Sequence, residues 1–554
     1  MNIPPEKPPV DSHTPGPPAG DAPSGTPGAA SGETPGDIRE GDTSISRVAR
    51  GAGISTVGQG FGRFVGYGIQ FAIGRFYGPA GVALYALGVG AVNGANILAR
   101  FGMDNGVVRW VAHHRAHGDD SRVRGTILQA IGVAFVISLA LSVLMFFGAD
   151  AIAGVYDKPR LAPIIVAFAI SLPFYTFMSM VLWATQGFQT VTYASYVQQM
   201  IRPALQLALI GVFYFLIEGL IGVVVAYAVS MMLGSVVAMY FLRKLFPPLL
   251  DRKTPAVYET RELFAVSAPM SVTTLAQYAN NYAAIQILGL FAAAGPTGIF
   301  TLAARTATFL TLVRFAFGGI FSPIISGYYA RGEMDGLDRL YKDVSRWIFT
   351  GGFPIFLVIV VLGEDVLSVI KPAFAAGWTA LMIVAAAQLF SSSVGPTPRM
   401  LAMTGNQKVV MTATFFAALT GVVVSLALIW AAPTPEQKVL GAAAGMASGI
   451  FAENAATLVA VRRRLGFWPY NAAWLKPLAA GLVAAAAAYT IGLFIDFSAL
   501  LTIAAIGSVF GVLYLALLLL LGLSETDREF LGAFWNVAKR TLDRVRRRGG
   551  EDRG

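Results

Sequence analysis

The sequence contains no cysteine, so disulfides, thiolate metal sites and cysteine nucleophiles are excluded from any account of it. Charge is nearly as scarce. Only 13% of the 554 residues are Asp, Glu, Lys or Arg, against 55% that are hydrophobic, and the mean hydropathy of +0.62 lies far above that of soluble domains. There is no Gly-x4-Gly-Lys-Ser/Thr loop, which removes nucleotide hydrolysis by that route. The glycines at 58–68 stand within an apolar run and not after a strand, so they make no dinucleotide site. His113, His114 and His117 lack the glutamate of HExxH and sit in a basic connector, which argues against a metal site. No catalytic constellation is present, and the residues predict neither an enzyme nor a bound cofactor.

What the sequence does have is apolar runs. They recur along most of the chain at about 20 residues each, the length a helix needs to cross roughly 30 Å of hydrocarbon. The reading is an all-α integral membrane protein with about fourteen transmembrane helices. Residues 1–46 are rich in Pro, Gly, Ser and Thr and are expected to form a disordered cytosolic tail. Two six-helix bundles are expected at 47–245 and 260–465, then helices 13 and 14 within 473–522. In the basic tail 523–554, Phe530, Phe534 and Leu542 recur at near-helical spacing, the pattern of an interfacial helix on anionic membrane lipid.

Basic residues cluster at 109–124, 243–261, 331–346 and 462–464. All four fall in connectors on one side, which places both termini in the cytosol and the chain in the inner membrane as a multi-pass protein. The net charge of +10 is thus a matter of topology and not of nucleic-acid binding. The connectors on the other side are too short to carry a catalytic domain.

The chain also repeats itself. The run from Gly74 to Tyr85 resembles that from Gly289 to Phe300, an offset of 215 residues, and Gly187-Phe-Gln189 echoes Gly405-Asn-Gln407 at an offset of 218. Six spans separate the copies, so the bundles share one orientation and are related by an axis along the membrane normal.

Polar residues form stripes inside the spans. Arg63 stands mid-span with Thr56, Gln59, Tyr67 and Gln70 at helical spacing. Asn93, Asn96, Arg100 and Asp104 line the second span. Thr274, Gln277, Asn280 and Asn281 line the seventh, and Thr301, Arg305, Thr308 and Thr311 the eighth. An ionised side chain at mid-membrane costs about 2.5–3.5 kcal/mol on insertion scales and therefore usually faces a cavity or a partner. The stripes predict a polar cavity between the bundles with Arg63 and Arg305 in its wall and Arg100 at its inner edge, suited to an anionic substrate. Arg314, nine residues past Arg305, falls about 180° round an ideal helix and is left off the cavity. Glu453 is a second-rank candidate for coupling to a proton or sodium ion. Gly58, Gly62 and Gly66 form a small-residue ridge for helix packing.

The order of several segments resembles the polysaccharide transporter branch of the multidrug/oligosaccharidyl-lipid/polysaccharide exporter superfamily, the Wzx-like flippases. They are GRFYGPAGVALYALG (74–88), FGMDNGVVRWVA (101–112), LGLFAAAGPTGIFTLAAR (288–305), GPTPRMLAMTGNQK (395–408) and VRRRLGFWP (461–469). The resemblance implies an alternating-access protein that carries a polyprenyl-diphosphate-linked oligosaccharide to the outer leaflet for polysaccharide or lipopolysaccharide synthesis, with a polymerase and glycosyltransferases as partners. It also implies cavity cations that meet the phosphates and acidic sugars, a role that Arg63 and Arg305 fit. The alternatives are a cation-coupled small-molecule exporter, which calls for an acidic cavity, and a peptidoglycan-precursor flippase. The chain departs from relatives at Asn280 and Asn281, where many carry a charge.

Overall fold

A computed structural model describes residues 37–251, 254–494, 498–522 and 527–528. Among the described residues there is no strand. Among the described residues, twelve helices of 21 to 43 residues are long and apolar enough to cross a membrane. Their outward faces carry bare hydrocarbon: Phe215, Phe494 and Leu520 are each more than 80% exposed, a surface that only lipid can cover. The chain is therefore a multi-pass membrane protein.

The count of twelve differs from the expected fourteen at two places. The first helix, Gly58–Arg100, spans 43 residues and is broken only at Gly78 (φ 68°, ψ −168°), which Pro79 follows. That backbone region is essentially reserved for glycine. Contacts with the helix Arg202–Leu216 show that the chain doubles back here. Gly68 lies against Leu207, Phe76 stacks on Tyr214, and Tyr85 returns to bond Gln206. One continuous run of helix is thus a two-armed hairpin. The second place is Thr260–Phe291, 32 residues long, whose polar stripe dilutes its hydropathy and keeps it out of the twelve.

Thr260–Phe291 runs antiparallel to the second arm of the hairpin. Gly289 packs on Leu87, Gly90 on Gln286, Gly94 on Tyr278 and Gly102 on the Ser267 carbonyl. At Gly289 and Gly90 a Cβ would collide with the facing side chain and at Gly102 with the facing backbone, the close packing at small residues that membrane helices favour. At the C-terminus of Thr260–Phe291, Lys158 is buried and donates to the carbonyls of Gly289 (2.6 Å) and Ala292 (2.9 Å). A cation there also matches the negative end of the helix dipole. The repeated segments touch one another: a Cβ at Gly298 would fall 1.8 Å from the Pro79 carbonyl.

The buried apolar core is continuous from Ile73 and Phe168 to Phe300 and Phe374. A second cluster, with Phe353, Ala484 and Phe510, packs the last two helices, Leu475–Gly492 and Ala499–Leu520, onto Met334–Ser368. Residues 49–554 make one compact unit.

Residues 1–48 are a separate unit. Within the segment 1–46, residues 37–46 are helical. The last proline of the tail is Pro35, and Asp37 and Glu40 stand where a helix N-terminus favours negative charge. Residues 1–36 lie outside the described residues, as does nearly all of the basic tail 523–554 and its Phe530, Phe534 and Leu542.

Candidate functional site

Two chambers meet inside the helices. The first, about 340 Å³, is lined by Tyr67, Tyr85, Tyr175, Tyr227 and Tyr282, by Gln70, Gln198, Gln206 and Asn93, and by Arg63, Arg202 and Arg305. The second, about 620 Å³, is lined by Arg63, Arg305, Arg314 and Arg399, by Gln277, Asn280, Asn281, Gln388 and Asn454, and by Glu453. Arg63, Arg305 and Thr308 belong to both walls. The junction is therefore cationic.

Each arginine is held without being neutralised. Arg63 donates to Thr311 Oγ1 and lies 3.9 Å from the ring centroid of Phe315, a cation–π contact worth about 2 kcal/mol when desolvated. Arg305 lies 5.4 Å above the Tyr282 ring, and its buried Nε has no hydrogen-bond partner. Arg314 donates to Ser391 Oγ, which donates in turn to Asn454 Oδ1 at 3.0 Å. Arg399 reaches Ser322 Oγ at 3.3 Å, and Arg202 reaches Gln206 Oε1 at 3.2 Å. Among the described residues none of these five makes a salt bridge. The lone wall carboxylate, Glu453, accepts from Thr414 Oγ1 at 2.9 Å. Five cations facing one carboxylate make a site for an anion.

Of the residues singled out from the sequence, Arg63, Asn93 and Arg305 line the first chamber, and Gln277, Asn280 and Asn281 the second. Three lie elsewhere. Asn96 is buried and accepts from Thr176 Oγ1 at 3.0 Å, interhelical bonding worth about 0.6 kcal/mol. Arg100 is paired with Asp104 at 3.0 Å, one turn on. Gln59 is outside both walls and bonded elsewhere. Periodicity identifies a polar face but cannot say whether it meets a cavity or another helix. Of the glycine ridge, Gly62 packs on the Gln199 backbone, whereas Gly66 faces the first chamber.

Three wall arginines escape the sequence reading. Arg314 reaches the wall because Thr308–Leu310 is a 3₁₀ turn. Three residues at about 120° instead of about 100° add roughly 60° of rotation, and Arg305, Thr308, Thr311 and Arg314 share one wall. Arg399 enters because the helix Trp378–Ser393 stops short of Gly395 (φ 74°) and a short helix, Thr397–Met403, starts again after Pro396. Broken backbone at membrane depth belongs where it lines a cavity. Arg202 follows a π-helical turn, Ser195–Ile201, a distortion frequent at functional sites. Its signal was plain: an arginine in an apolar run, with Gln198, Gln199 and Gln206 at helical spacing.

Beside the chambers lies an apolar groove of about 370 Å³, lined by Phe309, Pro354, Ile355, Val358, Ile359 and Phe510 among others. Phe309 is also part of the first chamber's wall.

Among solved structures, the chain superposes on the lipid II flippase MurJ in an inward closed conformation with a TM-score of 0.64 and 14% identity, over 84% of this chain and 97% of that one. An inward-facing multidrug resistance MATE family transporter of the MOP superfamily gives 0.57 and 15%, over 73% and 94%. At such identities the likeness is one of fold. Stage V sporulation protein B of Bacillus subtilis (strain 168) is 25% identical over 152 residues, 27% of this chain and 29% of that protein, so the match spans less than a third of that curated relative. Residues 48–328 match the polysaccharide biosynthesis protein family, half of the chain. The chain shares the fold of these two solved structures and belongs to the polysaccharide biosynthesis protein family.

Proposed function

We propose that the chain is a flippase that carries an anionic oligosaccharide linked to polyprenyl diphosphate across the cytoplasmic membrane, for polysaccharide or lipopolysaccharide synthesis. The observation that carries this reading is the shared residue Phe309, which puts an arginine-lined chamber and an apolar groove side by side. An amphiphile with a polyanionic head and a long hydrocarbon tail needs both. Its head leaves water for guanidinium groups, which bind phosphate bidentately, while its tail stays in an apolar setting. Both termini face the cytosol, as the basic connectors indicate. Transport proceeds by alternating access, with the bundles 47–245 and 260–465 rocking about the chambers. Glu453, the one wall carboxylate, is the candidate for coupling to a proton or sodium ion. A cation-coupled exporter of small drugs calls for the opposite charge.

The test is the leaflet distribution of lipid-linked oligosaccharide in cells depleted of the protein, with rescue by wild type, Arg63→Ala and Arg305→Ala at matched membrane abundance. Inner-leaflet accumulation that wild type relieves and both variants leave in place is the expected result. Intermediates that reach the outer leaflet normally without the protein would refute the proposal.

A further inference from the structure

Beyond its arginines the first chamber carries groups that an anion has no use for, and we infer that it includes a saccharide subsite: Tyr85, Tyr227 and Tyr282, with Gln70 and Gln198, hold the sugar bonded to the diphosphate, while Arg63 and Arg305 hold the diphosphate at the junction. This rests on the transport reading above and adds to it an order of binding along the substrate.

The argument is one of unspent hydrogen-bonding capacity. Gln70 Oε1 is buried with no partner, and so is Arg305 Nε. The Tyr85 hydroxyl accepts from Gln206 at 2.8 Å, which leaves its own proton free to donate. The Tyr282 hydroxyl accepts from Asn93 at 3.4 Å and is in the same position. Among the described residues, the Tyr227 hydroxyl and the Gln198 amide make no hydrogen bond, although both line the chamber. Donors and acceptors are thus mixed over the faces of an aromatic box. A phosphate needs donors only, and a hydrocarbon tail needs neither. The ligand class that uses both, and covers aromatic faces with its C–H groups, is a polyol ring.

Position supports the same assignment. Phe309 separates this chamber from the apolar groove, so whatever occupies it is close in the covalent sequence to the lipid. The groove takes the tail, the junction takes the diphosphate, and the first chamber takes the sugar next to it. Its volume of about 340 Å³ is near the lower end of the roughly 300–1,000 Å³ usual for ligand sites, room for a mono- or disaccharide.

The experiment uses the full chain in lipid nanodiscs, titrated with farnesyl diphosphate and with farnesyl diphosphate bearing a hexose, a 6-deoxyhexose or an N-acetylhexosamine. One of these sugars is expected to tighten binding roughly tenfold or more over the bare diphosphate, because a site built to bond hydroxyls discriminates strongly. Tyr227→Phe and Gln70→Leu should each lose most of that gain and still bind the bare diphosphate, a result that also certifies their folding. The subsite is overturned if no sugar tightens binding, or if both variants keep the full gain. Failure of the wild type to bind even the bare diphosphate overturns the transport reading itself.

Discussion

The two chambers share Arg63, Arg305 and Thr308 yet divide in chemistry beyond them. On one side five tyrosines and four amides surround Arg63, Arg202 and Arg305. On the other, Arg314 and Arg399 join the shared pair, and Glu453 stands among them. The first wall is rich in hydroxyls, amides and rings, and the second carries more charge. The two arginines at the seam belong to both regions.

Substitutions can break this division at graded points. The largest effect is expected at the seam. Removing both Arg63 and Arg305 takes cations from both chambers at once. With bonds to charged groups worth about 1.5–3 kcal/mol each, diphosphate binding by calorimetry should fall roughly 100-fold or more. Arg314→Ala or Arg399→Ala touches only the second chamber. Each should cost about tenfold for an acidic oligosaccharide and much less for a neutral one, a contrast that would vanish if the chambers were equivalent. Glu453→Gln acts in the opposite direction. Removing the one wall carboxylate should tighten the anionic probe a few-fold, and a weaker affinity would show that Glu453 positions its neighbours instead. The smallest change is expected from Thr311→Val, which removes the hydroxyl that steadies Arg63. About two- to fivefold weaker diphosphate binding is expected, in keeping with one modest hydrogen bond.

The fold was legible because its physics is local: apolar runs of membrane length, basic connectors and repeated turn segments all lie in the sequence. Arg63 and Arg305 were legible for the same reason, as charges in hydrocarbon that require a setting. What escaped depends on departures from the ideal helix. A 3₁₀ turn at Thr308–Leu310 rotates Arg314 into view, and the break at Gly395 and Pro396 turns Arg399 from a connector residue into a cavity wall. Asn96 and Arg100 lie outside the walls because Thr176 and Asp104 satisfy them; Asp104 stands one turn from Arg100 and was open to spacing, whereas Thr176 sits on another helix and was not. The chain reversal at Gly78 rests on a single non-helical residue, which apolar runs alone do not locate.

That reversal bears on how the protein is made. Its first arm, from Gly58 to Tyr77, holds six glycines and Arg63, a poor candidate to enter a bilayer unaided when a central arginine alone costs about 2.5–3.5 kcal/mol. The second arm is richer in Val, Ala and Leu, and Gly78 and Pro79 leave almost no slack between the two. The arms are therefore expected to enter lipid as one unit, with Arg63 carried in by the more apolar second arm.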